Sequence, residues 1–367
     1  MKLKLLIGAI VVIGVLYLLK NRMNEKPMQY IENGPPSTAM PASGDVRNEL
    51  TVGFLPVTCH LTCPVTSWVS EHSTSGTKYK AQKFTDFPSM KEALMARKID
   101  ATFMNAPLAT KLVADGVPVK IVYLGHRDGT AVIVKSDGPV QKFEDLAGKI
   151  IAIPGRFSNQ NIFLHKMMKE KGMPFDSMTI KELPPPEHPS SLASGAIDAY
   201  IIGEPHAAKA EMEGYGRVLM QMRDAWPNFI SCVLVVRQEM IDEKRPLVEE
   251  LVRGIAASGE WLDEDRLTGA QHRKDAAVVA GKMFYNQPPA LLDYVLTKDV
   301  TRVSYTNLLP PKKDFDEIMD LAVELKIMPK RVAYEDYVDP SFAPDLETVD
   351  VSFDRLPEVD VVAAKQQ

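Results

Sequence analysis

The sequence repeats itself at a distance of 98 residues, and this repeat constrains the fold more than any other feature. Segment 89–116 aligns without gaps on segment 187–214, and both share an Ile-Asp-Ala core. The same shift places Pro56, which ends one apolar run, on Pro154, which ends another. Self-similarity at a fixed distance indicates a duplicated structural unit. We therefore expect two lobes of similar construction.

Each copy predicts strands that alternate with helices. Asp100 and Asp198 close the turn into the third strand, and Pro107 and Pro205 stand in the first turn of the next helix, where a missing N–H costs nothing. Alternation of this kind gives a mainly parallel sheet with right-handed crossovers. The predicted class is α/β, with two lobes that contain mainly parallel sheets and are joined by a two-strand hinge. The predicted strands are 50–56, 78–84 and 101–105 in the first copy and 149–154, 178–183 and 199–203 in the second.

The domain organisation follows from the repeat and from the segments that flank it. Runs 119–124 and 130–135 lead out of the first lobe, and the β-rich run 229–237 leads back. The spacer after the first apolar segment is rich in Pro, Gly and Ser and cannot bury a core. The predicted divisions are a membrane anchor or signal at 1–26, a flexible linker at 27–48, lobe 1 at 49–135 and 225–300, lobe 2 at 136–224, and a C-terminal helix with an extended tail at 301–367.

The N-terminal segment is predicted to hold the protein on a membrane. Residues 5–19 form an uncharged apolar run between Lys4 and Lys20, somewhat shorter than the roughly 20 residues that span a bilayer core. Snorkelling of the flanking lysines makes up much of the difference. Lys20, Arg22 and Lys26 follow where a cleavage site needs small residues, which favours an uncleaved anchor over a cleaved signal peptide. We therefore expect this segment to tether the body of the protein to the cytoplasmic membrane.

Composition excludes several classes of function. The chain has a net charge of -5 and contains no basic block, which argues against nucleic-acid binding. Three cysteines cannot build a disulfide framework, although one bridge is possible. The sequence contains no spaced nucleophile–base set and no Gly-rich phosphate loop. We expect neither catalysis nor a cofactor.

The expected binding site lies between the lobes. In open α/β sheets, ligands bind beyond the carboxyl ends of the strands. In this chain those ends are the segments after Pro56, Asn105, Pro154 and Gly203, which two facing lobes would place on opposite walls of one cleft. A ligand that touches both walls stabilises the closed form through its differential affinity. This arrangement is typical of a solute receptor.

Four runs carry a family resemblance. The runs GFLP, KIDATFMNAP, EDLAGKIIAIPGRFSNQNIFLHKMMKEKG and LASGAIDAYIIGEPHAAKAEMEGYGRVL resemble the substrate-binding proteins of nitrate, bicarbonate, sulfonate and taurine ABC transporters, a group that includes thiamine-pyrimidine binding proteins. The resemblance covers roughly residues 49–300. It implies a type II periplasmic-binding-protein fold, capture of a small ligand between the lobes in the periplasm, and delivery of that ligand to an ABC permease and ATPase.

The second lobe supplies four candidate ligand contacts. Ser158 or Asn159, after Phe157, is suited to cap the next helix, whose free N–H groups and dipole attract an anion. Glu204 matches the Gly-Glu-Pro motif of the family, and its carboxylate would bind a donor on the ligand, bind an accompanying cation, or satisfy the helix dipole.

The first lobe and the hinge supply further candidates. Asn105 is expected to form part of the cleft wall, and Thr130 to contact the ligand near the hinge. Arg127 and Arg156 are possible counter-charges for an anionic ligand, and His126 is a weaker candidate.

The first loop departs from the family pattern, and three hypotheses compete there. Thr58, Cys59 and His60 would line the cleft; Cys59 and Cys63 would form a disulfide in an oxidising compartment; or Cys59, His60 and Cys63 would hold a metal, although the spacing lacks a second ligand pair. We favour the first and expect no metal. The loop also keeps open an alternative, an enzyme on this fold resembling the pyrimidine-synthesising or menaquinone-pathway relatives. Cys232 is expected to be a small buried apolar residue.

Overall fold

Residues 48–73 and 76–342 are described in this computed structural model of the protein. The predicted anchor at 1–26, nearly all of the linker at 27–48 and the tail beyond residue 342 lie outside the described residues. Within those two ranges, no helix combines the length and apolar character that crossing a membrane requires.

The strands occur in the order that the repeat predicts. Those in the described ranges are β1 (Glu49–Phe54), β2 (Lys78–Lys83), β3 (Ala101–Met104), β4 (Val119–Asp128), β5 (Thr130–Lys135), β6 (Ile150–Ile153), β7 (Thr179–Glu182), β8 (Ala199–Gly203), β9 (Gly216–Gln221), β10 (Ile230–Arg237) and β11 (Val303–Ser304).

Helices separate most of these strands. They are α1 (Thr62–His72), α2 (Phe87–Met95), α3 (Ala106–Ala114), α4 (Asn159–Glu170), α5 (Glu187–Ser194), α6 (His206–Met212), α7 (Met222–Ala225), α8 (Gln238–Glu264), α9 (Gln271–Val279), α10 (Pro289–Asp293), α11 (Lys312–Glu324) and α12 (Tyr334–Tyr337). Short 3-10 turns lie at Thr58–His60, Phe143–Leu146 and Pro340–Phe342, and π-helical turns at Ala280–Tyr285 and Tyr294–Lys298.

The strands form two sheets, one in each lobe. The first has the order β11-β4-β10-β3-β1-β2, and β1 pairs parallel with both β2 and β3. The second has the order β7-β6-β8-β5-β9, and β6 pairs parallel with both β7 and β8. In each sheet the strand next to this parallel trio, β10 or β5, runs antiparallel to it. The α/β two-lobe class predicted from the sequence is confirmed.

The boundary between the lobes differs from the predicted one. The prediction assigned 49–135 to lobe 1, but β5 pairs with β8 and β9 of the second sheet. The chain crosses at Asp128 and Gly129, whose φ angles of 63° and 72° form a left-handed turn between β4 and β5. Consecutive β-rich runs do not reveal to which sheet each belongs, because that choice depends on partners distant in sequence.

The two copies of the repeat form equivalent hydrogen bonds. Asp100 Oδ2 accepts the backbone N–H of Thr51 at 2.9 Å, and Asp198 Oδ2 accepts that of Ile150 at the same distance. The backbone N–H groups of Asp100 and Asp198 donate in return to the carbonyls of Thr51 and Ile150. Each aspartate therefore ties the turn before the third strand to the start of the first strand, and it does so by the same chemistry in both lobes.

Apolar packing and the C-terminal helix connect the lobes. Val132 and Ile151 of the second sheet belong to the same buried cluster as Val233 and Val235 of the first. Helix α11, which the sequence predicts over 312–326, packs against α3 of lobe 1 and α4 of lobe 2. The lobes are thus in direct contact, and their facing ends are buried.

Candidate ligand-binding site between the lobes

The first loop of lobe 1 contacts the end of strand β8 in lobe 2. The backbone N–H of Thr58 donates to the carbonyl oxygen of Glu204 at 2.8 Å, and the Thr58 hydroxyl donates to the same oxygen at 3.2 Å. The N–H of Glu204 donates to the carbonyl of Gly129 at the crossing between the lobes, at 2.9 Å. The segments after Pro56 and Gly203 therefore meet, as the sequence predicts for the two walls of one cleft.

The segment after Pro154 also faces lobe 1. Asn159 Nδ2 donates to the carbonyls of Ile230 and Ser231 in β10, at 2.6 and 2.9 Å. The Lys111 ammonium of α3 lies 5.8 Å from the centre of the Phe157 ring. Ser158 is the N-cap of α4, since its Oγ accepts the N–H of Asn161 at 3.1 Å. The N–H groups in the first turn of a helix have no acceptor within the helix, so α4 begins with donors at the contact between the lobes.

Burial separates the candidates into two groups. Phe157 remains partly exposed. The buried candidates are Thr58, Cys59, His60, Asn105, Thr130, Ser158, Asn159 and Glu204.

A hydrogen bond fixes the tautomer of His60, one of two buried histidines near the first loop. His60 Nδ1 lies 2.7 Å from the Leu55 N–H and accepts it, so the neutral ring carries its proton on Nε2. The Thr58 hydroxyl, which is 3.2 Å from the Glu204 carbonyl oxygen, also lies 3.0 Å from His126 Nε2, and the donor in that second bond depends on the His126 tautomer. Burial lowers the pKa of His126 to about 4, so this ring is neutral near pH 7.

Four buried side-chain atoms among the candidate residues have no hydrogen-bond partner within the described ranges. They are His60 Nε2, His126 Nδ1, Thr130 Oγ1 and Asn159 Oδ1. The tautomer of His60 makes its Nε2 a donor, and the two bonds from Asn159 Nδ2 leave its Oδ1 as an acceptor. Buried polar atoms in folded proteins are nearly always paired, so these unpaired atoms need an explanation.

The Glu204 side chain does not point its charge at this group of atoms. Its Oε1 accepts from Arg302 Nη1 at 2.9 Å, and its Oε2 accepts the N–H of Ala208 in α6 at 2.8 Å. Burial raises the pKa of Glu204 to about 7, and the Arg302 charge opposes that rise. The Glu204 carboxylate therefore lies at a helix start, which is one of the roles considered from the sequence. The backbone carbonyl of Glu204 lies at the contact between the lobes. Arg302 was missed because it lies outside the repeat.

The two arginines considered as counter-charges are engaged elsewhere. Arg127 Nη1 donates to Asp314 of α11 at 2.8 Å and to the Asn228 carbonyl at 2.6 Å. Arg156 is exposed and pairs with Glu182 at 3.2 Å. The expected positive charge beside the ligand is therefore not supplied by either side chain.

The cysteines are arranged differently from the sequence-based hypotheses. All three are free, and Cys59 Sγ lies 3.0 Å from Cys232 Sγ on β10. Cys63 Sγ, in the first turn of α1, points to the Val52 carbonyl at 3.9 Å. The hypothesis of a Cys59–Cys63 disulfide is wrong here, because the 3-10 turn and the helix direct the two side chains to different strands. The potential metal-ligand group comprises Cys59, His60 and Cys232, with the ligand atoms within 4.8 Å of one another, and Cys63 is not part of it.

Comparison with known proteins agrees with this architecture. A family model described as NMT1-like matches residues 44–280, more than half of the chain. The nitrate import ATP-binding protein NrtC of Synechocystis is 25% identical over 62% of this chain, which spans just over a third (37%) of that relative's length. A putative aliphatic sulfonates-binding protein of Escherichia coli is 23% identical over 68% of this chain and 76% of its own.

Solved structures show the same fold. A ligand-binding component of an ABC-type import system from Staphylococcus aureus, with zinc bound, superposes with a TM-score of 0.72 at 24% identity, over 83% of this chain and 99% of its own. The periplasmic nitrate-binding protein NrtA of Synechocystis gives 0.69 at 13% identity, over 85% and 92%. The predicted resemblance to nitrate and sulfonate binding proteins is confirmed. The desulfurization enzyme DSZB also shares the fold, with a TM-score of 0.60 at 13% identity over 83% and 99% of the chains.

Proposed function

The chain belongs to the NMT1-like family, and on that premise we propose that it is the solute-binding component of an ABC importer. It would capture a small anion between its lobes and deliver the anion to a membrane permease driven by an ATPase. The relatives named above as nitrate import and sulfonate-binding proteins support this assignment.

The observation that carries the proposal is the meeting of Thr58 with Glu204. Each residue follows the carboxyl end of a strand in its own lobe, where open α/β sheets bind ligands. The two loops are joined by a backbone hydrogen bond of 2.8 Å, and the unpaired atoms of His60, His126, Thr130 and Asn159 belong to the residues around it. A solute that pairs those atoms would stabilise this closed arrangement of the lobes.

The polarity of the unpaired atoms indicates what kind of anion would bind. His60 Nε2–H, the Thr130 hydroxyl and the first-turn N–H groups of α4 are neutral donors suited to an oxyanion. Asn159 Oδ1 is an acceptor, which a ligand satisfies only if it carries a hydrogen of its own. The site therefore favours an anion with an additional donor, such as bicarbonate or an amino- or hydroxy-sulfonate, over nitrate or a simple alkanesulfonate.

Localisation follows from the same proposal. An importer of this type collects its solute outside the cytoplasm, and NrtA is itself described as periplasmic. The apolar run at 5–19 would then tether the body to the cytoplasmic membrane near its permease. Within this proposal the chain binds its ligand without converting it.

Calorimetric titration of the purified chain tests the ligand assignment. Taurine and ethanesulfonate differ in the terminal amine, and bicarbonate and nitrate differ in whether the oxyanion carries a hydrogen. We expect the donor-bearing member of at least one pair to bind at least tenfold more tightly, which is about 1.4 kcal/mol. Equal affinity within both pairs, or no heat with any of the four, would contradict the proposal. Turnover of a bound ligand, followed by chromatography of the mixture, would argue for an enzyme.

A valine at position 130 separates a binding role from a structural one. The Thr130 hydroxyl is buried without a partner in the described residues, so Thr130→Val should leave the free energy of unfolding unchanged or raise it. If the hydroxyl contacts the ligand, affinity falls about tenfold in the same variant, as for one lost hydrogen bond. The matched control is Thr110→Val, because Thr110 is equally buried but its hydroxyl bonds to the Ala106 carbonyl within α3. Affinity should be unchanged in the control.

A further inference from the structure

Cys59 and Cys232 are brought together by two features of the first sheet. Strand β10 pairs with β4 through register shifts on both sides of Cys232, and such bulges re-aim side chains. On β4, a side chain at Gly125 would place its Cβ 2.2 Å from the Cys59 carbonyl oxygen, so only glycine lets the first loop lie this close to the sheet. The result is a distance of 3.0 Å between two sulfurs that are 173 positions apart in the chain.

The environment gives the two thiols different acidities. Burial raises the pKa of Cys59, but the hydrogen bond from Cys232 and the neighbouring His60 outweigh it, so the pKa of Cys59 lies below its ordinary value. Burial and the same hydrogen bond raise the pKa of Cys232. Cys59 is therefore the thiol that forms the thiolate first, and the thiolate is the species that attacks a disulfide.

The hydrogen bonds of His60 argue against a metal at this pair. A neutral imidazole coordinates through a bare nitrogen. His60 Nδ1 uses its lone pair to accept the Leu55 N–H at 2.7 Å, and Nε2 carries the proton. Coordination by His60 would require the loss of a buried backbone hydrogen bond, and without His60 only two sulfurs remain of the potential ligands.

We propose that Cys59 and Cys232 form a reversible disulfide that links the first loop of the interlobe site to strand β10. The co-reactant is a small or protein disulfide of an oxidising compartment. The Cys59 thiolate attacks one sulfur of that oxidant and forms a mixed disulfide, which releases the first thiol. Cys232 then attacks Cys59 Sγ, and the second thiol leaves. Two electrons and two protons pass from the protein to the oxidant.

This bond would fix the loop that carries Thr58, because the sulfurs need to approach by only about 1 Å to reach a disulfide length. Both cysteines are buried in the folded chain, so the oxidant acts while the chain folds or while the lobes are apart. The bond does not depend on the identity of the ligand, but its oxidant rests on the proposed location of the body outside the cytoplasm.

Alkylation and peptide mapping test the proposal on the purified full chain. One sample is refolded in oxidised glutathione and the other in dithiothreitol, and each is then denatured and treated with iodoacetamide. We expect one alkylated cysteine, Cys63, in the oxidised sample and three in the reduced sample, with the peptides of Cys59 and Cys232 cross-linked in the oxidised one. Because the closed loop is long, the melting temperature should fall by roughly 5 °C or more on reduction.

Two variants complete the test. Cys232→Ser should abolish both the cross-link and the difference in melting temperature, whereas the control Cys63→Ser should keep both, since Cys63 points away to Val52. Three alkylated cysteines after refolding of the wild-type chain in oxidised glutathione would overturn the proposal, as would a bridge from Cys59 to Cys63. A stoichiometric metal in the chain purified without chelator, lost in Cys232→Ser, would also overturn it. Mapping of the wild-type chain gives a result even if a variant does not fold.

Discussion

The two lobes share a backbone framework but differ in the loop that follows the first strand. The framework is repeated down to single residues: Gly116 and Gly214 end matched helices with φ angles of 82° and 79°. A Cβ at either glycine would meet no atom within 4 Å, so the backbone angle, and not space, accounts for glycine at both positions. Both copies of the unit have therefore kept glycine where the backbone angle requires it.

The loops that follow the first strand of each lobe, β1 and β6, differ in structure. In lobe 2, Ser158 is an extended N-cap, and its side chain accepts from the N–H of Asn161. In lobe 1, a 3-10 turn at Thr58–His60 leads directly into α1, and the N-cap Leu61 has helical angles. One lobe therefore contributes a helix start whose first N–H groups have no acceptor within the helix, and the other contributes a buried Cys-His turn. The two walls of the site therefore share a backbone scaffold and differ in the side chains that they present.

The largest effect that would test this contrast is expected from Gly125→Ala. The added Cβ would lie 2.2 Å from the carbonyl oxygen of Cys59, a backbone atom that cannot rotate away. We expect a loss of about 3–5 kcal/mol in the free energy of unfolding, or an insoluble protein. The control in lobe 2 is Gly203→Ala, whose Cβ would meet the Gly129 carbonyl at an ordinary 3.6 Å. Urea unfolding of both variants measures the difference, and equal losses would show that the lobe 1 loop is not packed closely on its sheet.

The sequence predicted the scaffold well because the scaffold is local. The Asp100 and Asp198 turns, Pro107 in the first turn of α3 and a cap at Ser158 or Asn159 each depend on residues within a few positions or on the repeat. Pro205 differs from the prediction, because it is the N-cap of α6 and does not lie in the first turn. Parallel pairing of β1 with β2 and β3 followed from the alternation of strands and helices.

The partners of the candidate site residues could not be predicted in the same way. Glu204 is paired with Arg302, 98 positions later, and Arg127 with Asp314, 187 positions later. Both partners lie after the repeated region, so no periodic pattern relates them to the site. Residue type alone suggested that the charges of Glu204 and Arg127 would contact a ligand. Both side chains are buried, and each is instead paired with an opposite charge of the protein.

A second effect, which depends on pH, is expected from the buried Glu204. Burial raises its pKa from the ordinary 4.5 to about 7. Between these values the folded chain holds a proton that the unfolded chain has lost, so stability falls as pH rises through this window and is greatest below it. Over this window the loss amounts to about 3 kcal/mol. Glu204→Gln, which stays neutral, should remove this pH dependence.

The control for that experiment is Glu211→Gln. Glu211 also pairs with Arg302, at 3.1 Å, but it is only partly buried. The control should therefore keep the fall in stability between pH 5 and pH 7.5, measured by urea unfolding at intervals of pH. A difference between wild type and Glu204→Gln that stays constant over this range would show that Glu204 titrates at its ordinary pKa.

The smallest effect compares the matched aspartates of the two lobes. Each accepts a backbone N–H of the first strand, and Asp100 also accepts from Arg237 Nη2 at 2.6 Å. Asp198→Ala leaves the Ile150 N–H without its acceptor, which costs about 1–2 kcal/mol, and Asp100→Ala should cost about 1 kcal/mol more because Arg237 also loses a partner. Asparagine separates the two contributions, since its Oδ1 can still accept the N–H. Asp198→Asn should be nearly neutral and Asp100→Asn should lose only the ion pair; equal losses in both would mean that Arg237 adds nothing and that the lobes are tied in the same way.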